Sequence, residues 1–182
     1  MDETLTDDAL ASKAKEDVEA FALLYRRHLH RVYSYLHSRV GNVQDAQDLT
    51  TQTFVAALSG IQTYESRGFF TAWLLGIARH KLNDHFRRNH PIISIDEITP
   101  PSDGKGSVED IIVKQLRIEE IKSILEKLNP ERAEAIRLRY FADLKIREVA
   151  EVTGKNEGAV KMLLSRGLDD IRQLLHLQEE IS

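Results

Sequence analysis

Arg79, Lys81, Arg87 and Arg88 crowd the second half of one stretch, Gly68–Asn89 (GFFTAWLLGIARHKLNDHFRRN), opposed there only by Asp84. His80 and His85 lie among them and His90 follows. Cations gathered this way suit a polyanion, and in a chain without cysteine nucleic acid is the first candidate. The same cations would also serve as a solvated helix end, opposing the negative pole of the helix dipole. Both readings stay open on this stretch alone. A second set stands near the C-terminus, where Asn156, Glu157, Gly158, Lys161, Met162, Ser165 and Arg166 follow Gly154 within a few residues.

The elements that must hold these groups are helical. Phe70, Trp73, Leu74, Ile77 and Ala78, continued by Leu82 and Phe86, form one apolar stripe along the first stretch. The spacing of Trp73 with Phe69, Phe70 and Ile77 predicts core packing for the indole. Upstream, Phe21, Leu24, Tyr25, Leu29, Val32, Tyr33, Leu36 and Val40 predict a helix over 17–40, broken by Gly41-Asn42. A helix over about 43–59 turns Ala46, Leu49, Thr50, Thr53, Phe54, Ala57 and Leu58 inward and leaves Gln44, Asp45, Asp48, Thr51 and Gln52 on a polar face. Gly60 ends it, and a loop over 61–67 leads into the cationic helix with Tyr64 expected exposed or half exposed. Three long helices with short connections predict a bundle, a first domain over 1–90.

Pro91 stops the cationic helix. PIISIDEITPPSDGKGSV (91–108) contains three prolines and two glycines and reads as a flexible acidic linker, with a brief extended piece at Ile92–Ile95. A second domain, 109–182, opens on the helical stripe Ile111, Ile112, Leu116, Ile118, Ile121, Ile124, Leu125 and Leu128. Pro130 suits a first helical position, and a helix is expected over 132–141. From Leu144 to Arg166 the chain fits a helix-turn-helix. Ile146, Val149 and the small Ala150 face inward, Gly154 occupies the turn where positive φ is wanted, and Asn156 suits an N-cap. Ala159, Val160, Leu163 and Leu164 point to the core. The second cationic set is then left outward at the start of the second helix, where a recognition helix meets the major groove.

Composition agrees with an all-α chain of 182 residues in two small helical domains joined by a linker. With no cysteine, neither disulfides nor thiolate metal sites are available, and a reducing cytoplasm is the expected home. No apolar run approaches membrane-spanning length, so no membrane insertion is expected. The net charge of −4 is unevenly spread: residues 1–20 hold seven acids and two lysines, leaving the remainder close to neutral. Screening acts over roughly 8 Å, so a phosphate near residues 79–88 would feel the local cluster and not the molecular total.

In AFALLYRRHLHRVYSYL, DAQDLTTQTFVAAL, FTAWLLGIARHKLNDHFRR and LNPERAEAIRLRYFADLKIREVAEVTGKNEGAVKMLLSR, in that order, the chain resembles the extracytoplasmic-function group of bacterial RNA polymerase sigma factors. The resemblance covers nearly the whole chain. It implies that Asp45, Asp48, Leu49, Gln52 and Phe54 dock on the clamp coiled coil of core RNA polymerase. It implies minus-ten promoter contacts from Tyr64, Arg79, His80, Lys81, Asn83, Arg87 and Arg88. It assigns minus-thirty-five contacts to Asn156, Glu157, Gly158, Lys161, Met162, Ser165 and Arg166. An anti-sigma factor that clamps both domains is a further partner typical of the group. His80 stands where the group often has Asn, Met162-Leu163 where it commonly has Ser-Arg, and Gly167-Leu168 where it has Ala-Arg. Leu163 and Leu168 are therefore expected to extend the core at the expense of phosphate contacts.

No nucleophile motif, phosphate-binding glycine loop or metal-ligand spacing is present, so neither an enzyme nor a cofactor is expected. A stand-alone helix-turn-helix regulator is the alternative. It would pair as a symmetric dimer on a palindrome, and no obvious dimerisation helix is present beyond the short tail Leu174–Ser182. A purely protein-binding helical module is the third possibility.

Overall fold

Side-chain caps decide where most helices begin. Thr6 accepts from the Ala9 N–H at 3.3 Å and starts α1 (Asp7–Lys13); Asp17 accepts from the Glu19 N–H at 2.9 Å and starts α2 (Val18–Val40). Asn42 accepts from the Asp45 N–H at 2.8 Å and starts α3 (Val43–Gly60). Each such cap is worth about 0.5–2 kcal/mol over alanine. A 3₁₀ turn, Ile61–Thr63, and a loop lead to α4 (Phe70–Arg88). The computed structural model describes residues 4–89 and 108–181. The expected linker, with its extended piece at 92–95, falls outside them apart from Val108, which begins the next helix.

The second half runs α5 (Val108–Lys127), α6 (Pro130–Ile136), α7 (Ile146–Thr153) and α8 (Glu157–Ile181). Asn129 caps α6 through the Glu131 N–H at 3.0 Å, with Pro130 in the first turn as expected. The single helix expected over 132–141 is divided. After Ile136 the backbone widens into a π turn, Arg137–Phe141, closed by the Ala142 N–H donating to the Arg137 carbonyl at 3.1 Å. Among the described residues all regular structure is helical.

Leu24, Val32 and Leu36 of α2, Leu49 and Phe54 of α3, and Leu74, Leu75 and Leu82 of α4 form the first core, all at or below 5 % exposure. Fully burying such a side chain contributes about 1.5–3 kcal/mol. The hydroxyls of Thr50 and Thr53 donate one turn back, to the Ala46 and Leu49 carbonyls at 2.6 and 2.7 Å, so they enter this core satisfied. The sequence marks residues 1–20 only by their excess of acids. There α1 buries Leu10 and Ala11 against the bundle, and its C-cap Ala14 follows them inward. The second core gathers Leu125, Ala135, Leu138, Leu144, Val149, Val160 and Leu164. Leu163 and Leu168 pack against it partly buried. Gly167 has a packing reason: a Cβ there would lie 3.2 Å from Cγ1 of Ile136, so its absence lets α8 approach α6.

The halves meet. α4 lies against α7, and α2 against the π turn. Glu134 sits at the centre of this contact, accepting from the buried Tyr35 hydroxyl at 2.7 Å and paired with Nε of Arg79 at 3.0 Å and with Arg39 at 3.8 Å. Arg79 also donates to the Val152 carbonyl at 2.8 Å, and Arg31 pairs with Asp143 at 3.3 Å.

Candidate nucleic-acid and polymerase interfaces

The turn of the helix-turn-helix is built as its residues require. Gly154 ends α7 at φ +67°, the left-handed region open to glycine, and the Lys155 N–H returns to the Ala150 carbonyl at 3.1 Å. Asn156 then accepts from the Ala159 N–H at 2.8 Å and caps α8. Glu157, Lys161 and Ser165 form one ridge at steps of four, and Gly158, Met162 and Arg166 form the ridge beside it; all six are exposed. The structure thus brings six of the seven expected residues onto one outward face. The seventh, Asn156, is exposed with its side-chain oxygen engaged as a cap. Met162 is 53 % exposed.

α4 carries the other cationic group with less freedom. His80, Asn83, Arg87 and Arg88 are exposed and Lys81 is half-buried. Asp84 restrains part of this face, pairing with His80 at 3.4 Å and with Arg87 at 3.7 Å. Two expected minus-ten residues are placed differently. Arg79 is engaged by Glu134 and Val152 across the contact between halves. Tyr64 is 5 % exposed, not exposed or half exposed as its loop position suggested. Its ring centroid lies 4.9 Å from that of Trp73 and 5.5 Å from that of Phe70, and its hydroxyl donates to Asp8 of α1. Burial, then the bond to Asp8, pushes its ionisation well above the ordinary tyrosine range. What buries Tyr64 is α1, whose residues lie more than fifty positions away in sequence.

α3 presents Asp48 and Gln52 to solvent. Asp45 is partly occupied, accepting from Nδ2 of Asn42 at 2.8 Å and facing Nε2 of His85 at 3.6 Å. Leu49 and Phe54, expected as docking residues, are core residues at 2 and 5 % exposure; they orient the helix and cannot reach a partner without unpacking it. Leu58, expected inward, is 44 % exposed, and Val55 is 61 % exposed. Asp48, Gln52 and Val55 fall at i, i+4 and i+7, so the exposed stripe continues past its polar part into apolar surface. Tyr25, expected in the core, is 39 % exposed with its ring edge on Phe54 at 4.8 Å. The i+7 spacing from Asp48 was the signal that could have found Val55.

No group of three or more His, Asp or Glu among the described residues could hold a metal ion, and none of their helices is long and apolar enough to cross a membrane.

A helix-turn-helix with an exposed face on its second helix, beside a helical bundle carrying a cationic helix, has the build of a two-module DNA-binding protein. The sequence matches Sigma-70 region 2 over residues 24–91 and Sigma-70, region 4 over residues 118–171. The ECF RNA polymerase sigma factor BldN of Streptomyces coelicolor is 36% identical over 162 residues, covering 87% of this chain and 61% of BldN. The RNA polymerase sigma factor SigV of Bacillus subtilis is 30% identical over 145 residues, covering 80% of this chain and 84% of SigV. CnrH, solved in complex with the cytosolic domain of CnrY, shares the fold at a TM-score of 0.71 and 24% identity, covering 94% of this chain and 97% of that one. The chain belongs to the sigma-70 family of RNA polymerase sigma factors, in its ECF group. Its relatives are DNA-binding transcription initiation factors, and no catalytic family is indicated.

Proposed function

We propose that the chain binds core RNA polymerase through α3, reads and helps open the minus-ten element with α4 and the loop before it, and reads the minus-thirty-five element with α8. The observation that carries this reading is the pair of exposed ridges on α8, Glu157/Lys161/Ser165 and Gly158/Met162/Arg166, on the second helix of a helix-turn-helix. Asp48, Gln52 and Val55, with Leu58 beside them, supply the docking stripe, and the clamp coiled coil is the polymerase element proposed to meet it. Opening DNA costs a few kcal/mol of unstacking for each base, offset by contacts that only a single strand offers. The exposed His80, Asn83, Arg87 and Arg88 are placed for phosphate contacts along that strand. Arg79 joins them once the halves separate and Glu134 releases it. The cytoplasm is the proposed location.

An anti-sigma partner is also proposed. A fold relative, the sigma factor RpoE of Bartonella quintana, was solved with the anti-sigma factor NepR. An apolar groove of about 430 Å³ between α5, α6 and α8, lined by Ile121, Tyr140 and Leu175 among others, offers an inhibitory helix a seat.

Transcription in vitro with core enzyme over a promoter library tests the main reading. Wild-type chain should direct initiation at a subset of promoters sharing two elements, and Asp48→Arg should abolish this with an unchanged melting curve. Reversing a charge against a complementary surface costs several kcal/mol, whereas an exposed substitution shifts stability by about half a kcal/mol or less. Undiminished co-purification of Asp48→Arg with core polymerase would remove α3 from the docking surface.

A further inference from the structure

The loop between α3 and α4 is fastened from one side by the N-terminal helix. Gln62 Nε2 donates to the Lys15 carbonyl at 2.7 Å, and Lys15 Nζ donates to the Tyr64 carbonyl at 3.0 Å. The Tyr64 hydroxyl donates to Asp8, and the Ser66 hydroxyl bonds that of Ser12 at 2.9 Å. Residues 62, 64 and 66 therefore face α1. Past the 3₁₀ turn, Glu65 and Arg67 alternate with Tyr64 and Ser66 and point outward, with side chains 69 and 76 % exposed. They are paired with each other.

α1 is itself pinned to the bundle by a different edge. Asp7 pairs with Arg27 at 3.1 Å and with Nε2 of the buried His28 at 2.9 Å, and the Arg27 guanidinium also donates to the Leu5 carbonyl at 2.7 Å. Leu10 and Ala11 are fully buried beneath. Asp7 thus holds α1 on α2, and the neighbouring Asp8 holds the loop on α1. Adjacent carboxylates serve two different partners, an arrangement unnecessary for merely covering the core, which Leu10 and Ala11 already do.

We infer that Asp8, Ser12 and Lys15 are positioning residues for promoter reading: they set the loop so that Glu65 and Arg67 meet the displaced single strand of the minus-ten element. This rests on the assignment of that loop to the minus-ten element made above. A reading group displaced by about 1 Å loses its contact geometry, and a lost base contact relaxes preference at the base pair it served. The surface set by α1 is small, so the effect should fall on one or two promoter positions and leave the rest unchanged.

The test uses the full chain with core polymerase and promoters varied singly at each minus-ten and minus-thirty-five position. Deleting α1 would uncover Leu10's site and could unfold the bundle, so smaller changes are used: Lys15→Met, Asp8→Ala, Tyr64→Phe, and the Asp8→Ala/Tyr64→Phe double variant. Amide exchange over 61–68 should quicken in each. Discrimination at one or two minus-ten positions should fall roughly five- to tenfold. The double variant should lose no more than either single one, because both remove the same bond. Minus-thirty-five discrimination and affinity for core polymerase should stay within about twofold of wild type. Quicker exchange with unchanged minus-ten discrimination overturns the inference, as does unchanged exchange. Equal losses at both elements also overturn it, since they mark general loosening. A wild-type complex with no minus-ten preference at all instead rejects the parent assignment.

Discussion

Truncating Glu134 to alanine should separate the two halves of the free chain. Its side chain is 13 % exposed and serves the hydroxyl of Tyr35 at 2.7 Å and the guanidinium of Arg79 at 3.0 Å. The hydrogen bond from Tyr35 to this charged group contributes about 1.5–3 kcal/mol. Tyr35 is 1 % exposed, so in a still-docked variant its hydroxyl would be stranded, and Arg79 and Arg39 would face each other uncompensated. Arg79 is 36 % exposed and keeps part of its hydration, so the stranded Tyr35 hydroxyl carries most of the cost, about 1–3 kcal/mol. The Arg31–Asp143 pair offsets little of that loss: its side chains are 35 and 71 % exposed, and a pair that open to water contributes at most about 1 kcal/mol. The chain has no native cysteine, so single cysteines at the exposed positions Gln47 and Gln173 can be labelled for energy transfer. Glu134→Ala should lower transfer between them while each half keeps its helical signal. Transfer unchanged from wild type, at low protein concentration and moderate salt, would show that Glu134 does not hold the contact.

Three further outcomes are expected. Lys161→Ala and Arg166→Ala should differ in kind: the one touching a base edge relaxes preference at one minus-thirty-five base pair at a cost of about 1–3 kcal/mol, and the one touching phosphate weakens all sequences and flattens the salt slope by about one unit, read by salt titration of promoter complexes. Gly154→Ala should cost about 1–2 kcal/mol in thermal unfolding, since the site at φ +67° has open space around it and backbone strain is the whole effect. Burial holds His37 below its ordinary value of 6.5, so the folded state resists protonating it. The stability it contributes is complete above pH 6.5 and falls as pH drops from there toward the lowered folded value; His37→Gln should remove that slope in denaturant titrations across the range.

Periodicity within one element was legible, and contacts between distant elements were not. The turn glycine, the Asn156 cap and the outward ridges of α8 follow from spacings of three and four within 23 residues, Leu144 to Arg166. The inward set of α4 follows in the same way. α1 left no sequence signal because only Leu10 and Ala11 face inward on a seven-residue helix, too few to rise above the surrounding acids and lysines. Tyr64 was misplaced because its partner Asp8 belongs to that missed helix. Leu49 and Phe54 share a helix with the proposed docking residues Asp48 and Gln52, and sharing an element is not sharing a face. The π turn at Arg137–Phe141 left no mark in the residue pattern: a widened turn shifts side-chain phase by one position, within the tolerance of any helical stripe.

The hold of Glu134 on Arg79 has a thermodynamic corollary for every ligand of α4. A ligand that needs Arg79 released binds only the fraction of molecules in which the halves are apart, and its apparent affinity is divided accordingly. A net preference for the joined form of about 2 kcal/mol would leave roughly one molecule in thirty competent and weaken such binding about thirtyfold. A scaffold that grips α3 and α8 at a distance from each other removes that factor without touching the ligand. The DNA contacts would then strengthen by about the same thirtyfold on loading, with no new bond formed to the DNA.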